Sequence, residues 1–204
     1  VASTDYTSEM RISDQILKRN GDTYRRIRNT TRFLLSNLGD FNPDKHSIDY
    51  SDMLLLDQWI MNRLSVINQS IQTDYEEYSF HRIIQTLHNF CVNDMGGFYL
   101  DIIKDRLYTM PANSKGRRSA QTVLLHIAES LVRWIAPVLS FTAEEIWQLL
   151  PRRQVPSVFL SEWHDIVATN DNNDLDYKWD NRFIKFFKEG IISTNYNWDT
   201  KWTN

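Results

Sequence analysis

The strongest constraint on this chain is one uninterrupted apolar rhythm. From Phe80 through Ile84, Leu87, Cys91, Met95, Phe98 and Ile102, hydrophobic residues recur at steps of three and four, the spacing that places them on one face of an α-helix. The pattern predicts a helix from about Ser79 to Tyr108. The same rhythm recurs elsewhere, and the 204 residues hold only 6 glycines and 5 prolines, so few positions interrupt a helix. An all-α fold follows.

Three further long helices are legible. Ser13 is placed to cap the first, with Asp14 suited to its positive first turn and Gly39 ending it; Ile16, Tyr24, Ile27, Leu34 and Leu38 form its apolar stripe, and Gly21 marks a possible break. The second is expected to start at Ser51 and to bury Met53, Leu56, Ile60, Leu64, Ile67 and Ile71. A basic loop, Pro111 to Arg118, then leads to a fourth helix from Ser119 to about Ala136, stopped by Pro137. Thr142 with Glu145 reads as a capping box for a short fifth helix closing at Pro151, with Phe141, Ile146, Trp147 and Leu150 as its inner face. Gly96 and Gly97 fall inside the third helix, where they require a kink or a close neighbour.

With 42% hydrophobic and 13% aromatic residues the chain can bury a substantial core. The expectation is an up-and-down helical bundle over residues 13–150, preceded by a lead-in at 1–12 and followed at 151–204 by a short irregular appendage and tail. Within that appendage Ser157 to Trp163 reads as an extended piece, Thr169 to Asp176 as a polar boundary, and Tyr177 to Lys188 as a last short helix.

Candidate chemistry is sparse. The single cysteine, Cys91, excludes an intrachain disulfide and a multi-cysteine zinc site. None of the five histidines forms a zinc-binding helix pair with an adjacent glutamate, and Cys91 on an apolar stripe reads as a small hydrophobe. An enzyme centred on His81, His88 and Cys91 is the weakest of three readings. No segment is long and apolar enough to span a membrane or to act as a leader, which points to the cytoplasm.

The informative charges are positive. Arg11 to Arg32 contains seven cations and two carboxylates, within a chain whose net charge is −3. On a helix Lys18, Arg25, Arg28 and Arg32 share one face, away from the apolar stripe. A second cluster, Lys104, Arg106, Lys115, Arg117 and Arg118, surrounds the turn between the third and fourth helices. Either patch is an ordinary solvated face, a seat for an acidic protein partner, or a track for nucleic-acid phosphates. Trp59, Tyr75, Tyr78, Trp134 and Trp163 can complete a core or stack on unpaired bases.

Several long stretches are less anonymous. Ala2 to Met10 (ASTDYTSEM), Ile12 to Arg19 (ISDQILKR), Tyr24 to Leu38 (YRRIRNTTRFLLSNL), Phe80 to Thr109 and Arg117 to Trp147 together resemble the anticodon-binding helical domain of bacterial isoleucyl-tRNA synthetases, over roughly residues 1–165. The resemblance implies a tRNA-binding module that holds the anticodon arm of isoleucine tRNA, with residues 1–12 connecting from a catalytic body. It implies that Lys18, Arg25, Arg28, Arg32, Lys104, Arg117 and Arg118 meet phosphates, and that the module is a monomer catalysing nothing alone. The family's HIGH and KMSKS signatures and its editing domain do not occur in these residues. By the same resemblance the parent enzyme uses ATP and magnesium, and often zinc in a C-terminal region; no cofactor is expected in this segment.

Overall fold

The computed structural model describes residues 2–9 and 12–166, and among them it is helical without a strand. Helix α1 (Asp14–Ser36) is capped as its sequence predicts, Ser13 accepting a hydrogen bond from the Ile16 amide, and it runs through Gly21 without a break. A short turn α2 (Pro43–His46) leads to α3 (Leu55–Glu76). Helix α4 (Phe80–Asn89), a π-helical stretch (Phe90–Tyr99) and α5 (Leu100–Thr109) then follow end to end. The central helix α6 (Lys115–Ile135) and the short α7 (Ser140–Gln148) complete the bundle.

The chain reverses sharply between α3 and α4. Ser79 donates its amide hydrogen bond to the Asp74 carbonyl and Tyr78 to the Tyr75 carbonyl, the paired bonds of a Schellman ending. Tyr78 occupies the left-handed position, with φ 58°, a place that usually belongs to glycine. Only three residues separate these helices and five separate α5 from α6, so each pair lies side by side with its direction reversed, as an up-and-down bundle requires.

Helix α6 is buried all round. From Arg118 to Ile135 nearly every side chain is enclosed, because α1, α3, α5 and α7 all pack on it; a helix apolar on one face only could not fill that place. Trp134 of α6 and Trp147 of α7 lie fully buried, and their indole N–H groups donate to the Asn68 side chain at 2.8 Å and the Val155 carbonyl at 3.1 Å. Such satisfied polar tips allow large rings to sit in a core at little cost.

Four boundaries differ from the sequence expectation. Ser51 caps nothing: it lies in a 3-10 turn, Tyr50–Asp52, and α3 begins four residues later, after Leu54. The entry is anchored instead by tertiary bonds, from the Leu54 amide to Ser119 and from the Gln58 side chain to the Tyr50 and Met53 carbonyls. Helix α6 starts at Lys115 with Ser114 as its cap, so Lys115 to Arg118 is a helical turn rather than a loop. Helix α7 starts at Ser140, so Thr142 lies inside it, while Thr142 and Glu145 bond to α1 instead of forming a capping box. The piece after Pro156 is a 3-10 turn, Val158–Leu160. The polar boundary, last helix and tail expected beyond it lie outside the described residues.

The third segment is continuous, yet its stripe rotates. Ile83 and Ile103 are buried where Ile84 and Ile102 were expected, both of which are only partly covered. The π geometry accounts for the shift at Ile103, because each π turn inserts an extra residue and turns the face that follows; Ile83 lies ahead of it in α4 and shares a face with the buried Leu87 four residues on. Gly96 and Gly97 sit within the π-helical stretch on the exposed side. A Cβ at either would lie 3.1 Å from the carbonyl oxygen five residues earlier, that of Cys91 or Val92, so the glycines fit the wider turn and no neighbouring backbone is needed to explain them.

One buried charge joins the middle of the bundle. Asp57 of α3 is fully buried and accepts hydrogen bonds from Tyr99 at 2.8 Å, from both Arg106 guanidinium nitrogens at 2.9 and 3.2 Å, and from Ser119 at 2.5 Å. Burial and the Asp57 charge both raise the Tyr99 phenol well above its ordinary pKa. Burial opposes the charge on Arg106, but the neighbouring carboxylate outweighs it. Removing one partner of such a pair leaves an uncompensated buried charge.

The segment after α7 is tied to the bundle by polar bonds. The Asn68 side chain donates to the His164 carbonyl at 3.2 Å, Arg133 to the Glu162 carbonyl at 2.8 Å, and His126 Nδ1 lies 3.0 Å from His164 Nε2. Burial pushes both imidazoles below their ordinary pKa, His164 to about 3, where the facing His126 and Arg133 add to the effect.

Two expectations follow. Asp57→Ala should destabilise the fold by about 3–5 kcal/mol, the cost of an orphaned buried charge, and Asp57→Asn by less, because an amide oxygen still accepts; thermal unfolding of both variants checks this. His164 is neutral when folded but binds a proton near its ordinary value of about 6.5 when unfolded, so the unfolded chain holds more protons between that value and about 3. Stability from this pair is complete above about pH 6.5 and is lost as pH falls, and His164→Gln should flatten that part of a denaturation–pH series.

Candidate nucleic-acid interface

The expected basic face is present on α1. Lys18, Arg25, Arg28 and Arg32 are all exposed on this helix, as is Arg26, while Ile27 and Leu34 face inward. Arg11, the first cation of the run, lies outside the described residues. The cations are not equally free. Arg25 pairs with Asp22 at 2.7 Å, both exposed, and an exposed pair of this kind contributes only about 0–1 kcal/mol, so another anion can displace it. Lys18, Arg26 and Arg32 have no carboxylate partner among the described residues.

Arg28 is held more firmly. Its two terminal nitrogens reach the Glu145 carboxylate at 3.2 and 3.3 Å, and one also donates to the Tyr24 hydroxyl at 3.1 Å. Tyr24 in turn meets Thr142 at 3.3 Å. These bonds join α1 to α7.

The second cluster divides by burial. Lys104 is exposed and pairs with Asp101 one turn away, at 2.7 Å; Lys115 is exposed and lies 3.5 Å from Asp52. Arg106 is committed to Asp57. Arg118 is 7% exposed, and its nitrogens donate to the Asp40 backbone and carboxylate, to Gln121 and to Asn113. Arg117 pairs with the same Asp40 at 3.1 Å. Gln121 adds bonds to the Asp40 carboxylate and the Asn37 carbonyl. Arg117 and Arg118 thus fix the loop that leaves α1; burial pushes the Asp40 carboxyl up, but the Gln121 hydrogen bond and, after it, the Arg117 and Arg118 cations hold it below its ordinary pKa.

The remaining candidates separate in the same manner. Trp59 and Trp134 are core residues, Tyr75 donates to the Trp134 carbonyl, and Tyr78 is exposed at the turn. Cys91 is buried, and burial pushes its thiol up to about 12, which leaves no thiolate for catalysis. No group of three metal-binding side chains occurs among the described residues. The His126–His164 contact had no signal in the sequence, since the partners lie 38 positions apart. Asp57 did leave one: a carboxylate inside the apolar run Leu54 to Met61.

Residues 57–195 match the family described as the anticodon-binding domain of tRNA ligase. The chain is 52% identical over 189 residues to an isoleucine–tRNA ligase of Ruthia magnifica subsp. Calyptogena magnifica, covering 93% of this chain and 20% of that protein. It is 58% identical over 165 residues to that of Nitrosococcus oceani, covering 81% and 18%, and 55% identical over 174 residues to that of Alkalilimnicola ehrlichii, covering 85% and 18%. The chain therefore spans about a fifth of the length of the curated relatives it matches. An all-α bundle with a cationic helix on its surface and sequence agreement across most of its length lead to one conclusion: the chain belongs to the anticodon-binding domains of tRNA ligases.

Proposed function

We propose that the chain holds the anticodon arm of isoleucine tRNA as one domain of an isoleucine–tRNA ligase, and that the α1 face receives the phosphates. The observation that carries this reading is the row of exposed cations on α1, of which Lys18, Arg26 and Arg32 have no carboxylate partner among the described residues. Structured RNA is bound largely through backbone and shape, so a helix bearing spaced cations suits one strand of a stem.

Lys18, Arg25 and Arg32 contact phosphates in this reading, with Lys104 at the far end of the third segment as a second point. Arg28 contributes from within its pair to Glu145. Arg117 and Arg118 act less directly, by fixing the Asp40 loop next to α1. In this reading attachment of isoleucine, with its ATP, magnesium and any zinc, belongs to other parts of the ligase. The reading places the protein in the cytoplasm as a monomer, and no helix among the described residues is long and apolar enough to cross a membrane.

Binding of an isoleucine tRNA transcript across a salt series tests this reading. Affinity should fall steeply with salt, by close to one power of the salt concentration for each phosphate contacted. The triple variant Lys18→Glu, Arg25→Glu, Arg32→Glu should bind at least about tenfold more weakly, with a shallower slope, while its unfolding temperature stays near that of the parent because all three side chains are exposed. Unchanged binding by the triple variant would remove α1 from the interface.

A further inference from the structure

The cationic row does not stop where α1 stops. Tyr24 meets Thr142 and, one turn on, Arg28 meets Glu145, so α1 and α7 run side by side in the same direction. Arg32 lies a further turn along α1, about 6 Å, which brings it level with the end of α7. The chain then leaves α7 through a loop, Pro151 to Pro156, that carries Arg152 and Arg153, both exposed. Arg152 lies 3.0 Å from Asp44 in α2, the turn that follows α1, so the loop stands at the same end of the row. Lys45, also exposed, is the next residue of α2.

This loop is fixed to α7 at its far end. Trp147 donates to the Val155 carbonyl at 3.1 Å and the Gln148 side chain to the Pro156 carbonyl at 2.8 Å. Glu144 accepts from the Ser157 hydroxyl at 2.8 Å and the Val158 amide at 3.1 Å, which commits its carboxylate to neutral donors. The cations are held more lightly. Arg152 and Asp44 are both more than half exposed, and a pair of that kind yields readily to another anion. Arg153 bonds the neutral Gln148 side chain, with Glu144 acting on it only at longer range. Lys45 has no carboxylate partner among the described residues.

We propose that Arg152 and Arg153 extend the RNA-binding surface past the end of α1, receiving phosphates of the same strand that lies on Lys18, Arg25 and Arg32. The proposal rests on reading α1 as the phosphate-binding face. Lys45, Arg152 and Arg153 are set against one carboxylate at bonding distance, Asp44, in a chain of net charge −3. Positive charge at this end is therefore a local concentration and not the drift of a basic protein. Guanidinium groups bind phosphate oxygens in pairs, and a loop already fixed loses little freedom when RNA arrives. Two arginines on a free loop would be an ordinary solvated turn; these sit on a loop bonded back to α7, at the end toward which the α1 row leads.

Binding of an isoleucine tRNA transcript by the chain across a salt series tests this, with variants that pull in opposite directions. Arg152→Glu with Arg153→Glu should weaken binding about tenfold and lower the salt slope by about two, at an unchanged unfolding temperature, because both side chains are exposed. Arg152→Lys with Arg153→Lys should keep most of the affinity. Asp44→Asn frees Arg152, and should bind at least as tightly as the parent and up to about fivefold more tightly.

Weaker binding by Asp44→Asn would make the Arg152–Asp44 bond a mere tie between loop and α2 and would overturn the proposal. So would an unchanged affinity and slope in the arginine reversal; if the α1 triple variant were still impaired, the α1 reading would survive that result. Normal binding by the α1 triple variant would instead strike the α1 reading, and the continuous track with it, so the variant that binds normally shows which of the two has failed.

Discussion

The bundle depends on a carboxylate buried where four helical segments meet. Asp57 reaches across from α3 to Tyr99 in the π-helical stretch, to Arg106 in α5 and to Ser119 in α6. An apolar side chain there could fill the volume but would leave Arg106, a phenol and a hydroxyl unpaired in the interior, so the four residues are intelligible only as a set. Their geometry also constrains the chain between them. Two turns of α5 bring Tyr99 and Arg106, seven positions apart, toward the same carboxylate, and Leu54, at the entry to α3, is bonded to the same Ser119. The register of α3 against α6 is thereby set by directional bonds in addition to packing.

A second polar lock lies at the edge of the proposed interface. Arg117, Arg118 and Gln121 of α6 converge on Asp40, directly after the C-terminal end of α1. With the Arg28–Glu145 bond between α1 and α7, this holds the cationic helix from both sides against the central one. A rigid row of cations loses less freedom on binding a rigid RNA stem than a flexible one does. In the second cluster Arg117 and Arg118 are part of the support on which the α1 face rests.

Much of this was legible in the sequence. The long three- and four-residue rhythm identified the all-α bundle and most core positions, and Ser13 capped α1 where its side chain predicted. Where capping chemistry misled, tertiary contacts override it. Ser51 and Thr142 are good caps in isolation, but Gln58 and Ser119 organise the entry to α3, and Tyr24 and Arg28 engage α7 from outside. The rotation of the stripe to Ile103 was invisible because a π turn shifts the phase without changing composition; the two glycines were its trace. Charge spacing on α1 located the exposed face correctly, whereas in the second cluster spacing could not tell Lys104, which faces water, from Arg118, which is enclosed. Only the positions of Asp40 and Asp57, remote in sequence, decide that.

The central claim is that this bundle meets the anticodon arm through α1. Hydroxyl-radical footprinting of isoleucine tRNA in complex with the chain measures this contact on the RNA itself. The account predicts backbone protection confined to the anticodon stem and loop, which is lost when the α1 cations are reversed. Protection centred on the acceptor arm, or a protected anticodon arm that survives the reversal, would contradict it.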